Sequence, residues 1–197
     1  MLSWCIDPVA GIQCYNNSRL TFTGHETEMA VVHTSDPIQQ ETDTFYFEVK
    51  IGGESNLITI GLSTSNEVTG IPGWTDNTIA ISGLDGSVYM GRDKIISSSN
   101  TPFTKGDIIG CHTRRIKGDD GNVNVCQFRK NGEIVGVGYL ERDNLYPAVA
   151  LGTSAEVITN LGGANFRYNQ GIIICLFISM SNILKWIKLQ LTILMPF

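Results

Sequence analysis

The chain has 197 residues, 42% of them hydrophobic and 17% charged, with a net charge of −5 and a pI near 5.1. That length suits one domain with a real core, and the acidic balance opposes a nucleic-acid partner, which needs clustered cations to neutralise phosphate. The 21 glycines are scattered rather than periodic, which argues for many tight turns between short strands and against a helical bundle.

The start, MLSWCIDPVAGIQ, has neither a basic region nor a sustained apolar stretch, so no signal peptide is expected. Asn16-Asn17-Ser18 matches a glycosylation sequon, which matters only in a secreted chain. From Phe45 to Ile51, apolar Phe45, Phe47, Val49 and Ile51 alternate with Tyr46, Glu48 and Lys50, predicting a strand with one face on a core and one in water. Further strands are predicted over Leu57–Leu62, Thr78–Ser82, Ser87–Met90 and Ile108–His112, then over Val123–Arg129, Ile134–Tyr139, Ala148–Leu151 and Val157–Leu161. Turn signals separate them at Gly52-Gly53, Pro72-Gly73, Asp85-Gly86, Lys105-Gly106-Asp107 and Gly118-Asp-Asp-Gly121. Arg114, Arg115 and Lys117 are the nearest approach to a basic cluster; flanked by Asp119 and Asp120, they read as a solvated loop. Asn131-Gly132 tolerates the positive φ of a type I′ turn and predicts a hairpin, with Lys130 and Glu133 facing each other and pairing weakly. No amphipathic helix pattern precedes residue 171, so the prediction is an all-β antiparallel sandwich.

Residues 171–197, GIIICLFISMSNILKWIKLQLTILMPF, are far more hydrophobic than the rest. Three readings stand side by side. A membrane anchor needs about 20 apolar residues, and Lys185 and Lys188 interrupt this run at roughly 2.5–3.5 kcal/mol for a central lysine. A helix packed on the sandwich has few polar residues for an outer face. Translated non-coding sequence after a truncated gene is the third reading. The division expected is therefore a domain over 1–170 and a hydrophobic tail over 171–197.

No catalytic constellation is apparent. His25, His33 and His112 are far apart, and Cys111-His112, as strand neighbours, point to opposite faces, a buried thiol beside an outward imidazole. Cys5, Cys14, Cys111, Cys126 and Cys175 are odd in number and lack metal or redox spacing, which fits reduced thiols in a cytosolic protein. No phosphate-binding loop, zinc-protease or nucleophile-elbow motif occurs. Gly136-Val-Gly138 lacks a following helix, and Gly118-Asp-Asp-Gly-Asn122 lacks the distal glutamate of a calcium loop. Asp76 and Asp85 read as turn aspartates bonded to nearby backbone. No enzyme activity, metal, cofactor, nucleic acid or small-molecule substrate is expected.

An ordered series of motifs carries a resemblance. It runs Phe45-Tyr-Phe-Glu-Val-Lys-Ile51, Ile60-Gly-Leu62, Ile71-Pro-Gly-Trp74, Gly83-Leu-Asp-Gly86 and Phe103-Thr-Lys-Gly-Asp-Ile-Ile-Gly-Cys111. Phe128-Arg-Lys-Asn-Gly132, Leu145-Tyr-Pro-Ala-Val149 and Asn160-Leu-Gly162 complete it. From about Leu20 to Tyr168 the chain resembles the SPRY (B30.2-type) domain, most closely the Ran-binding-protein-M type. It departs at Asn160-Leu-Gly162, where the family usually has Asn-Phe-Gly, and in a long Arg115–Asn122 stretch. The resemblance implies a bent antiparallel β-sandwich of the jelly-roll kind that binds a peptide segment or protein through loops at one end. It also implies an adaptor or scaffold role in a ubiquitin-ligase-type complex, in the cytoplasm and also the nucleus, or at a membrane if the tail is an anchor. The partner-binding residues it points to are Thr23, Gly24 and His25; Ser63 and Thr64; Trp74 and Thr78; and Gly152 and Thr153. Thr78 and Thr153 stand where peptide-binding relatives carry a tyrosine and a tryptophan, so the same peptide specificity is not implied. Trp74 either compensates as a loop aromatic or caps the core edge beneath its loop.

Overall fold

A computed structural model describes residues 2–7, 11–24, 29–39, 43–67, 70–91, 93–96, 101–118 and 121–168, with 93–96 by their backbone. The short strands β1 (Trp4–Cys5), β2 (Ile12–Tyr15), β3 (Arg19–Phe22) and β4 (Ala30–Thr34) precede the long β5 (Thr44–Ile51). Next come β6 (Ile58–Ser63), β7 (Thr78–Ser82), β8 (Val88–Met90), β9 (Asp93–Ile96), β10 (Ile108–Gly118) and β11 (Gly121–Lys130). β12 (Glu133–Leu140), β13 (Tyr146–Leu151) and β14 (Glu156–Asn160) close the series. They form two seven-stranded sheets, β1-β4-β13-β6-β7-β8-β9 and β12-β11-β10-β5-β14-β3-β2. Every pairing is antiparallel, as the alternation and turn spacing predict.

The core lies between the sheets. Ile58, Ile60, Leu62, Ile79, Ile81, Val149 and Leu151 of the first sheet share one apolar cluster with Leu20, Phe47, Val49, Ile51, Ile109 and Phe128 of the second. Each such side chain stabilises the fold by about 1.5–3 kcal/mol on burial. The first sheet is closed on its outer face as well, because β6 and β7 are buried at every position. That face is built from small side chains. A Cβ on Gly61 would collide with the Ile79 carbonyl, and one on Gly73, in the loop above, would lie 3.3 Å from the Ala80 Cβ.

The β11–β12 turn adopts the predicted backbone, with φ of 52° at Asn131 and 90° at Gly132. Phe128 is fully buried on the inner face, and the register slips after it, leaving Val135 as a bulged residue. Asn131 also has a long-range duty: its side chain accepts from Ile108 N at 2.9 Å and donates to Asp107 Oδ1 at 2.8 Å. Lys130 and Glu133 do face each other, but their expected pairing is superseded. Lys130 Nζ lies 3.0 Å from Asp107 Oδ2 and donates to the Pro102 carbonyl. The Asp107 pair is well shielded from water, whereas a pairing at the turn tip would be solvated and weak.

Two further expectations are corrected. Arg114, Arg115 and Lys117 are strand residues, because β10 and β11 stay paired to Gly118 and Gly121. This two-stranded arm runs past the core and needs no apolar face; Arg115 is tied instead to the Asp143 carbonyl and through its N–H to that of Asp43. Glu48, expected in water, is 5% exposed. A strap of residues 161–168 crosses the outer face of the second sheet over Tyr46 and Glu48. Asn160 turns the chain, its Oδ1 accepting from Gly162 N and Ala164 N. Glu48 then accepts from Arg167 N and Tyr168 N, each at 2.7 Å, and from the Tyr46 hydroxyl at 2.8 Å. Phe166 meets the Tyr46 ring edge-on at 4.9 Å. Leu161, where the resemblance leads one to expect phenylalanine, packs against the core.

Candidate functional site: the two loop-bearing rims

Strand register decides which predicted binding residues can act together. Ser63 pairs with both Tyr146 and Thr78, whereas Leu151 pairs with Ile58. Thr78 and Ser63 therefore sit at one end of the first sheet, and Gly152 leaves β13 at the other, roughly 17 Å away at about 3.4 Å per residue. The residues expected to share one rim occupy two.

At the Gly152 rim the loops fold inward. Gly152 N donates to the Leu57 carbonyl at 2.8 Å, and a Cβ there would lie 2.9 Å from that of Leu57. Phe22 N donates to the Ala155 carbonyl, which brings Thr23 and Gly24 beside the Gly152–Thr153 turn. Thr23 gives both its N–H and its hydroxyl to the Gly11 carbonyl, and Gly24 lies flat against the Phe22 ring. Thr23 and Gly24 are exposed and Thr153 is half-buried. His25 lies outside the described residues.

At the Thr78 rim the buried hydroxyls serve as braces. Thr78 is fully buried; its Oγ1 accepts from Gly73 N at 2.8 Å and donates to the Thr75 carbonyl. Ser63, 1% exposed, donates to the Ser65 carbonyl and accepts from Ser65 N. Thr64 N reaches the Asn77 carbonyl, where Asn77 holds a φ of 60°. These braces hold the 71–77 loop against the sheet. Gly73, at φ 89°, comes so close that an added Cβ would sit 3.0 Å from that of Tyr89. Trp74 is thereby pushed outward. It is 36% exposed and stacks on Tyr89 at 4.3 Å, so it does not cap the core edge. Tyr89 is fixed from behind by donating to Asp85 Oδ2 at 3.0 Å, while Asp85 Oδ1 accepts from Ser87 N as a turn aspartate. Burial and that carboxylate push the Tyr89 hydroxyl pKa up.

Sequence reasoning missed Tyr89. Its position in a short strand marks an outward residue, but nothing local announces a partner fifteen residues upstream.

The Cys111-His112 pair divides as expected, the thiol wholly inside the core and the imidazole on the opposite face. His112 is half-covered, near Tyr46, and its Nδ1 has no hydrogen-bond partner. Burial, then the Arg129 and Arg114 charges, lowers its pKa to about 4. Burial raises both the Cys111 and the Cys126 thiols, which stay protonated and unreactive. Among the described residues no group of three or more His, Cys, Asp or Glu side chains is arranged to hold a metal.

Comparison with known proteins gives one consistent result. The SPRY domain family matches residues 44–164. Ran-binding protein 9 of Xenopus tropicalis is 33% identical over 167 residues, covering 79% of this chain and 28% of that protein. The Ran-binding protein M homolog of Arabidopsis thaliana is 31% identical over 164 residues, covering 79% of this chain and 32% of its own length. The chain thus spans under a third of these relatives. The crystal structure of a human SPRY domain superposes with a TM-score of 0.67 at 26% identity, covering 79% of this chain and 98% of that one. The SPRY domain of human HERC1 shares the fold, with a TM-score of 0.60 at 18% identity over 81% of this chain and 99% of that one. The chain belongs to the SPRY domain family of protein-interaction modules, and within it is similar to the Ran-binding-protein-M type.

Proposed function

We propose that this domain captures a peptide segment or protein surface through its loops, with the Thr78 rim as the principal contact. The observation that carries this reading is Trp74, exposed and stacked on a tyrosine that is itself hydrogen-bonded. A rigid sandwich holding a preformed loop is a common platform for recognition, and aromatic side chains are frequent anchors of such contacts. Thr64 lies beside it, while Ser63 and Thr78 hold the loop in shape. Thr23, Gly24, Gly152 and Thr153 lie at the opposite rim, apart from this principal contact, and His25 falls outside the described residues.

An adaptor or scaffold role in a ubiquitin-ligase-type complex, in the cytoplasm or nucleus, extends this reading. It rests on likeness to the Ran-binding-protein-M type and on no residue of this chain. The membrane-tethered alternative draws on the apolar run at 171–197, outside the described residues; no helix among the described residues is long and apolar enough to cross a membrane. Carbonate extraction of the full chain, with and without residues 170–197, separates the two.

The binding test is a pull-down with the chain carrying Trp74→Ala or Thr153→Trp. Loss of the same prey with Trp74→Ala, at unchanged melting temperature, is the expected outcome. Prey indifferent to Trp74→Ala but lost with Thr153→Trp would move the contact to the Gly152 rim.

A further inference from the structure

We propose that a cleft beside the Trp74 loop, where the rims of the two sheets meet, takes an extended peptide segment carrying a cationic side chain next to an apolar one. This inference rests on the reading of the Thr78 rim as a partner-binding surface. The cleft measures about 560 Å³ and lies between the Asp76–Asn77 corner, the Met90–Gly91 turn and the last residues of β12, within the size range of ligand sites. It shares a loop and a strand with the aromatic pair, since Asp76 is two residues after Trp74 and Met90 follows Tyr89 in β8.

Its floor and its lips differ in chemistry. Met90 and Leu140, both packed against the core cluster, supply an apolar floor, and methionine adapts readily to the shape of an incoming group. At the lips, Asp76 and Glu141 are exposed carboxylates without a hydrogen bond or ion pair among the described residues. The Glu141 carboxylate lies near Tyr139: burial, then that charge, raises the tyrosine pKa. Among the described residues beyond its chain neighbours, a Cβ on Gly91 would meet only Asp76 Oδ1 within 4 Å, at 3.8 Å. The backbone there is open to an approaching chain beside a free carboxylate.

The cleft is also preformed. Asn77 and Gly91 hold φ of 60° and 64°, and Gly91 N donates to the Thr78 carbonyl at 3.0 Å. Little ordering is then left for the binding event to drive.

Charge complementarity selects the occupant. Among the described residues two carboxylates and no cation line the cleft, and the chain as a whole carries −5. Arg142, next after Glu141, is exposed and not part of the lining; Arg92 lies outside the described residues. An acidic segment would meet like charge at both lips. A wholly apolar one would strip water from two unpaired carboxylates. A cationic side chain beside an apolar anchor satisfies lips and floor together.

The test is a titration of the isotope-labelled full chain, followed by amide NMR, with a blocked heptapeptide repeating leucine-arginine. A serine-arginine and a leucine-glutamate counterpart serve as comparison probes. The expected result is perturbation centred on Asn77, Gly91, Leu140 and Glu141, weaker by about tenfold or more (1.4 kcal/mol) with either counterpart and in the Asp76→Asn/Glu141→Gln variant. Perturbation elsewhere, none at millimolar peptide, or equal binding by the double variant would overturn it. A prey lost by Trp74→Ala but retained by Asp76→Asn/Glu141→Gln would also sink the cleft proposal while leaving the Trp74 reading in place.

Discussion

The Gly152 rim and the Thr78 rim begin from similar material, a glycine-bearing loop leaving a buried strand, and end differently. At the first, Gly152 settles onto Leu57 and Met29, and Thr23 gives both its donors to one carbonyl. At the second, Gly73 settles onto Tyr89 and Ala80, and the residue after it is thrown outward as an exposed tryptophan. In both cases a glycine allows close approach; the next residue along the chain decides whether the loop seals the sandwich or presents a side chain. A sealed surface stabilises the fold, and a presented one is free to bind.

Substitutions at covered and presented sites should therefore separate stability from binding. The largest effect is expected at Glu48, whose carboxylate holds the strap through three donors. Glu48→Ala should cost about 3 kcal/mol and open the chain to trypsin at Arg167, without altering which prey is captured. Gly152→Val overpacks the closed rim and should cost about 2 kcal/mol, a fall in melting temperature of roughly 5 °C, again with prey unchanged. An unaltered melting temperature would mean that this rim is looser than its contacts imply.

A smaller effect is expected from His112. Its pKa is lowered from 6.5 to about 4, so the unfolded chain takes up the proton first. This cost is absent above about pH 6.5 and grows as pH falls toward 4, reaching about 1 kcal/mol after allowing for solvent screening. His112→Gln should flatten the stability curve across that window; parallel curves would contradict the assignment. Trp74→Ala should have the smallest effect on stability, about 0.5 kcal/mol for a part-exposed side chain, while removing the prey.

Much of this frame was legible in the sequence because its determinants are local. Alternation exposed β5, Asn131-Gly132 exposed its hairpin, and Thr78–Ser82 has the predicted bounds. Elsewhere the deciding contact is distant. Glu48 sits at an outward position of an alternating strand, and its burial depends on donors 119 and 120 residues away. The charges of Arg114, Arg115 and Lys117 suggested a loop, since an arm beyond the core lacks the apolar alternation that marks a strand. The binding residues were drawn from loops that resemblance brings together, but the pairing of β6 with β13 and β7 separates them, and that register is not written in any single segment.

Amide hydrogen exchange of the full chain, alone and with a prey recovered by pull-down, tests the central claim most directly. Protection confined to residues 63–64, 71–78, 89–91 and 139–141, with 23–24 and 152–153 unchanged, is the predicted result. Protection centred on 152–153, or on the strap at 161–168, would contradict it.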